Sequence, residues 1–195
     1  MDQKEYYRNH PPRCIAGFGV QSAELPEVQF DGHPSFSDIK GKFPGLQIEA
    51  PEHINTIFLL SCRCGSDKHH VIAHAWANPE QPDQFVFLSP IALRCVACRT
   101  VTELLDTAVH GHDAELGNGS ATMRAQGKRE EVECAGCDLH KILQVFVRFE
   151  YPDDLLAEQV TEHKGRQQDL FTWFSLVARC AKCGSLLPVA DYECA

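Results

Sequence analysis

The apolar positions along this chain recur mostly at the spacing of strands. Residues 54–60 (INTIFLL) form a nearly continuous apolar run. Residues 70–77 and 84–93 read as strands on either side of a turn at Asn78-Pro79-Glu80-Gln81-Pro82. Leu143, Val145, Val147 and Phe149 occupy every second position, as a strand with one buried face requires. Residues 169–179, with Phe171 and Trp173, give another strand. Two segments carry helix signals instead. Thr100 and Glu103 make a capping box, and Val101, Leu104, Leu105 and Ala108 share a helical face. Asp153 or Asp154 could cap a shorter helix carrying Leu155, Leu156, Gln159 and Val160. The fold class expected is mainly β, with a minor α+β component of short helices.

The chain also echoes itself. Eight of its ten cysteines fall into four close pairs, Cys62-Arg63-Cys64, Cys95-x-x-Cys98, Cys134-x-x-Cys137 and Cys180-x-x-Cys183. Thirty residues separate Cys64 from Cys95, and forty-two separate Cys137 from Cys180. A shift of 85 lays Leu93-Arg94-Cys95-Val96-Ala97-Cys98 on Ala178-Arg179-Cys180-Ala181-Lys182-Cys183, and Asp106 on Asp191. A shift of 73 lays Cys64 on Cys137, Lys68 on Lys141, Trp76 on Phe149 and Pro79-Glu80 on Pro152-Asp153. The difference of 12 places a longer insertion in the second half, between Pro152 and Gln168. Internal duplication is the economical reading, with chance similarity as the alternative. Pro188 argues against a helix after Cys183, so the halves are expected to diverge there.

Four segments follow. Residues 1–52 form an irregular N-terminal arm, whose first fifty residues hold nearly half of the prolines, isolated aromatics and a turn signal at Phe30-Asp31-Gly32-His33-Pro34. Residues 53–110 form a first four-cysteine module, and 129–195 a second. Between them, 111–128 is rich in Gly and Ala and reads as a linker or long exposed loop.

Two cysteines separated by one or two residues can aim both sulfurs at one ion from a tight turn. Two such knuckles facing each other close a tetrahedral site, and the ends of a β-hairpin bring them together. Gly65 and Gly184, each directly after a knuckle, supply unhindered backbone for such turns. The ligand set expected is Cys62, Cys64, Cys95 and Cys98 in the first half, and Cys134, Cys137, Cys180 and Cys183 in the second.

On these eight residues the chain resembles the zinc-ribbon and rubredoxin-like class, over roughly residues 54–106 and 130–192. The resemblance implies small β-rich modules, each with a structural metal, on a fold that hosts many unrelated functions. Cys62-x-Cys64 departs from the usual pair by one residue. Two structural zinc ions are the preferred cofactors, and iron in the same thiolate cage is the chemical rival. Thioredoxin-like redox pairs rank lower, since that motif opens a helix in a βαβ context. Disulfides rank last. Cys14 is expected to be a buried free thiol, and Cys194 an exposed, functionally silent one.

Composition narrows the picture further. At 195 residues and 44% hydrophobic content the chain is an ordinary globular length and composition. No leader-like stretch and no run of about twenty apolar residues occurs, so a cytoplasmic protein away from the membrane is expected. The formal charge is −9. Each four-thiolate zinc site adds four negative charges and two positive ones, so two sites carry the total to about −13. Such a chain is repelled by phosphate backbones, and no lysine or arginine run offsets that.

Signals for catalysis are sparse. No HExxH, GxSxG, P-loop or GxGxxG occurs. His69, His70, His74, His110, His112, His140 and His163 fall in no ligand pattern and read as ordinary surface or partly buried groups. The clusters Glu130-Glu131-Val132-Glu133 and Tyr151-Pro152-Asp153-Asp154 read as solvated faces. Arg94 and Arg179, each just before a knuckle, are expected to compensate thiolate charge, or less favourably to grip an anion. The preferred function is a non-catalytic, zinc-stabilised protein-interaction module for a basic protein partner. The alternatives are a nucleic-acid-binding zinc ribbon and a metal-dependent enzyme or metal-handling protein.

Overall fold

The computed structural model describes residues 3–23, 53–78, 81–117, 124–137, 140–152, 163 and 165–194. In chain order its elements are helix α1 (Gln3–Asn9) and strands β1 (Gly19–Ser22), β2 (His53–Ser61), β3 (His69–Asn78), β4 (Gln81–Cys95) and β5 (Val101–Leu105). A helical turn α2 (His112–Glu115) precedes strands β6 (Glu130–Glu131), β7 (Leu143–Pro152), β8 (Trp173–Cys180) and β9 (Leu186–Glu193). Short 3-10 turns stand at Arg13–Ile15 and Gln167–Asp169. The fold is mainly β, as the hydrophobic spacing requires. The helix expected after Asp153 or Asp154, the turn at 30–34 and Pro79-Glu80 lie outside the described residues.

The strands pair antiparallel in one curled sheet with the path β1-β2-β7-β3-β4-β5. β6 lies beside β3, while β8 and β9 extend from β7. The alternation along β7 does what it predicts: Leu143, Val145, Val147 and Phe149 are all fully buried. Phe149 is the centre of an aromatic cluster, with ring centroids 4.9 Å from Phe171, 5.5 Å from Phe174 and 6.3 Å from Phe58. The curl brings β9 against β4, where the Tyr192 hydroxyl donates to the Phe87 carbonyl. From the other side, Tyr7 of α1 stacks on Tyr151 at 3.8 Å. The arm expected to be irregular therefore contributes a helix and a strand in its described part, with β1 pairing with β2.

The two halves share their hydrogen-bond geometry. Cys95 N–H donates to the Thr100 carbonyl at 2.9 Å, and Cys180 N–H to the Ser185 carbonyl at 2.9 Å. The β4–β5 ladder slips between Ile91 and Ala92, and the β8–β9 ladder between Leu176 and Val177, again 85 residues on. Each half also lends its leading strand to the other. Leu59 and Phe58 of β2 pair with Phe146 and Val147 of β7, and Glu131 and Glu130 of β6 pair with Ile72 and Ala73 of β3 in the same register. This pairing crosses the 111–128 segment. The strand shift is 74 rather than 73: Lys68 and Ile142 carbonyls accept equivalent N–H groups of Val96 and Ala181. The extra residue therefore falls between Cys137 and Ile142 in the sequence.

One expected element has the wrong type. Residues 101–105 form strand β5, not the start of a helix. The Cys95–Cys98 turn reverses the chain, so Val101 and Thr102 come alongside Arg94 and Leu93 of β4. Their β-branched side chains suit that ladder, and tertiary pairing overrides the local helical pattern. The halves consequently match here rather than diverge, since β9 follows the second turn as β5 follows the first. Pro188 sits opposite Val177, at the slipped position of the ladder, where a residue without an N–H is tolerated.

Residues 111–117, at the start of the Gly- and Ala-rich stretch, are docked. His112 N–H donates to the Phe171 carbonyl at 3.0 Å, and Asp113 N–H to the Cys194 carbonyl at 2.9 Å. Among the described residues no helix is long and apolar enough to cross a membrane.

Candidate metal centres

All eight cysteines of the four pairs converge, four by four. Cys62, Cys64, Cys95 and Cys98 form one group, and Cys134, Cys137, Cys180 and Cys183 the other, with all sulfurs in each group within 4.8 Å of one another. The first pair of each group occupies the turn before β3 or β7, and the second pair the turn between β4 and β5 or between β8 and β9. Antiparallel pairing of β3 with β4, and of β7 with β8, brings the two turns together. His69 is the sheet partner of Cys95, and Leu143 of Cys180.

The sulfur separations fit a tetrahedral ion. Two in the first group are 3.5 Å for Cys62–Cys98 and 3.6 Å for Cys64–Cys95, and two in the second are 3.7 Å for Cys134–Cys183 and 3.4 Å for Cys137–Cys180. A tetrahedron with metal–sulfur bonds of about 2.3 Å has edges of about 3.8 Å. A disulfide would need about 2.05 Å, and all the cysteines are free thiols. Two groups that could hold metal ions are therefore in place. The protein fills all four corners of each.

The turns carry the ligands with main-chain support. Cys62 N–H donates to the Ser66 carbonyl at 2.7 Å, and Cys134 N–H to the His140 carbonyl at 2.8 Å. After the second pair the chain needs a left-handed residue. Gly184 supplies it at φ 76°, and Arg99 takes the same place at φ 63° without being glycine.

Hydroxyls two residues on lie against the last sulfur of each group, Thr100 at 3.4 Å from Cys98 and Ser185 at 3.2 Å from Cys183. These hydroxyls hold Cys98 and Cys183 down at about 6. Burial and the neighbouring sulfurs push Cys137 up to about 12. At Cys62 the Cys64 N–H pulls downward, but burial and the neighbouring sulfurs win, again to about 12. Four thiolates this close oppose one another's ionisation unless a cation sits among them.

Several side chains stand differently from expectation. Cys14 is buried as expected, but Cys194 is buried too, not exposed. Its N–H donates to the Thr172 carbonyl at 2.7 Å, and its side chain packs on Gly111, where a Cβ would fall 2.7 Å from the Cys194 Cβ. Glu131 is no freely solvated carboxylate, since it pairs with Arg94 and lies 3.8 Å from Lys141, while Glu133 pairs with Lys141 at 2.7 Å. Arg94 thus answers a carboxylate. Arg179 lies over the Phe146 ring at 5.2 Å. His140, read as partnerless, places Nδ1 3.6 Å from the Cys180 sulfur. The sequence pattern assigned Thr100 to a helix cap and passed over Ser185, although a Cys-x-Thr and a Cys-x-Ser at equivalent places were a readable signal.

No family model, curated protein or solved structure matches the chain, and the two four-cysteine groups are what its own geometry offers toward a function.

Proposed function

We propose that the chain is a non-catalytic protein-interaction module stabilised by two structural zinc ions. The observation that carries the reading is the pair of four-sulfur groups, each with all sulfurs within 4.8 Å of one another and two separations of 3.4–3.7 Å. Four protein ligands leave no corner for a substrate or water, which is the arrangement of structural zinc rather than of catalytic zinc. Iron accepts the same cage and is the reading to beat. The surface adds the second element. A formal charge of −9, more negative still with two loaded sites, favours a basic protein partner over nucleic acid. Reduced thiols suit the cytoplasm.

Elemental analysis of protein purified without added metal tests the first part. Two zinc equivalents per chain are expected; iron, or fewer than two metals, overturns it. Affinity capture from the native host tests the second part, with a basic protein retained at low salt and released at high salt. Capture of nucleic acid instead would move the chain to the nucleic-acid reading.

A further inference from the structure

The two groups differ in their surroundings. In the first, Cys64 and Cys98 are exposed and Cys62 is half-buried, leaving Cys95 as the one buried residue. In the second, Cys134 and Cys180 are buried, Cys137 is half-buried and Cys183 alone is exposed. The turn between Cys134 and Cys137 also leans on its opposite number. A Cβ on Gly136 would meet the Ser185 hydroxyl at 3.6 Å and the Cys134 sulfur at 3.7 Å. His140 adds an imidazole beside Cys180 in the second group, at a place that Ser66 holds in the first.

A cavity of about 410 Å³ reaches the one buried member of the first group. It is lined by His70, Arg94, Cys95, Val96 and Arg99. Arg94 is engaged with Glu131, whereas Arg99 is exposed and has no ion-pair partner among the described residues. The second group replaces both features: Gly184 stands where Arg99 does, and Arg179 is laid over the Phe146 ring. A guanidinium lining a cavity beside a four-cysteine group draws small anions toward it.

We propose that the first group is the exchangeable metal site, and that its cavity receives a small anionic chelating ligand that competes for the ion. The inference rests on the two-zinc reading above. The exchange transfers the metal ion from sulfur to the incoming donors, with no change of oxidation state. Exposed cysteines let a competing ligand approach before all four metal–sulfur bonds have opened, and Arg99 raises the local concentration of that ligand when it is anionic. The second group, with two buried cysteines and a packed turn, releases its ion only through wider opening of the sheet end.

The test uses the full chain loaded with two zinc ions. It is challenged with ethylenediaminetetraacetate, which is anionic, or with a neutral tetrapyridyl chelator of comparable zinc affinity. Iodoacetamide is present throughout, and zinc release and the order of cysteine labelling are followed by peptide mass mapping. The anionic chelator is expected to release one zinc several-fold faster than the other, with Cys62, Cys64, Cys95 and Cys98 labelled first. Arg99→Gly, which the left-handed backbone accepts, is expected to slow that fast phase with the anionic chelator and leave the neutral chelator's rate unchanged. Equal release from both groups, earlier labelling of the second group, or an Arg99→Gly effect that is absent or shared by both chelators overturns the proposal. A starting protein without two zinc ions sinks the underlying reading instead, so the two failures are distinct.

Discussion

His69 of β3 and Leu143 of β7 are partners in the sheet, and each holds the same place in its half. They are the middle of a row that runs Cys95, His69, Leu143, Cys180 across four neighbouring strands. One member of each four-cysteine group is thus joined to the other through three ladder contacts. β7 meanwhile holds β2 along one edge and β8 along the other. Damage at one group therefore has a path to the other.

Cys180→Ser is expected to lower the melting temperature and to loosen more than its own half. Amide exchange should quicken in β8 and also in β2, because both hang on β7. Mass-spectrometric hydrogen exchange on the variant reads this directly. Loss of protection confined to residues 129–195 would show that the halves behave as independent modules after all.

Removing both metals should unfold the chain. Structural zinc contributes roughly 10–16 kcal/mol per site in small zinc-binding peptides, against a net stability of about 5–15 kcal/mol for a typical domain. Prolonged incubation with excess chelator is expected to abolish the strand signal in far-ultraviolet circular dichroism, and added zinc to restore it. Survival of a cooperative thermal transition in metal-free protein would contradict a structural role.

Phe149→Ala should cost about 3–5 kcal/mol, the range for deleting a fully buried aromatic. Its ring is enclosed by Phe58, Phe171 and Phe174, so β2, β8 and the segment before β8 lose a common neighbour at once. The shift in urea midpoint of the zinc-loaded variant measures it. A loss below about 1 kcal/mol would mean that the site collapses freely around the cavity.

Acidification should weaken the fold through His110. Burial holds its imidazole below the usual histidine range, although Asp106 and Asp169 pull the other way. Its Nδ1 accepts the Asp106 N–H at 2.9 Å, a bond that protonation at that nitrogen would break. The unfolded chain takes up the proton near the ordinary value of 6.5, before the folded chain does. The contribution is therefore complete above about 6.5 and is lost as pH falls toward the lower folded value. His110→Asn keeps an acceptor near the same place without titrating there. The urea midpoint of the wild type should fall more steeply between pH 7.5 and 5.5 than that of the variant. Parallel curves would remove His110 from the account, and comparing the two chains cancels the metal loss that acid causes in both.

The amino-acid sequence determined the parts of this protein that depend on near neighbours. Cysteines one or two residues apart must form tight two-sulfur turns, and the alternation from Leu143 to Phe149 must give a strand with a buried face. Those local rules sufficed for most of the strands, for a mainly β fold and for the composition of both four-cysteine groups. Tertiary structure decided what periodicity does not encode, which is the identity of each strand's neighbour. Val101–Leu105 carries a helical pattern and became β5 because the preceding turn delivers it to the open edge of β4. β2 and β6 crossed to the opposite halves because a ladder of hydrogen bonds rewards register, which is blind to distance along the chain. The same long-range packing buried Cys194 near the chain's end, set His140 beside Cys180 and brought Arg99 into the lining of the cavity at Cys95.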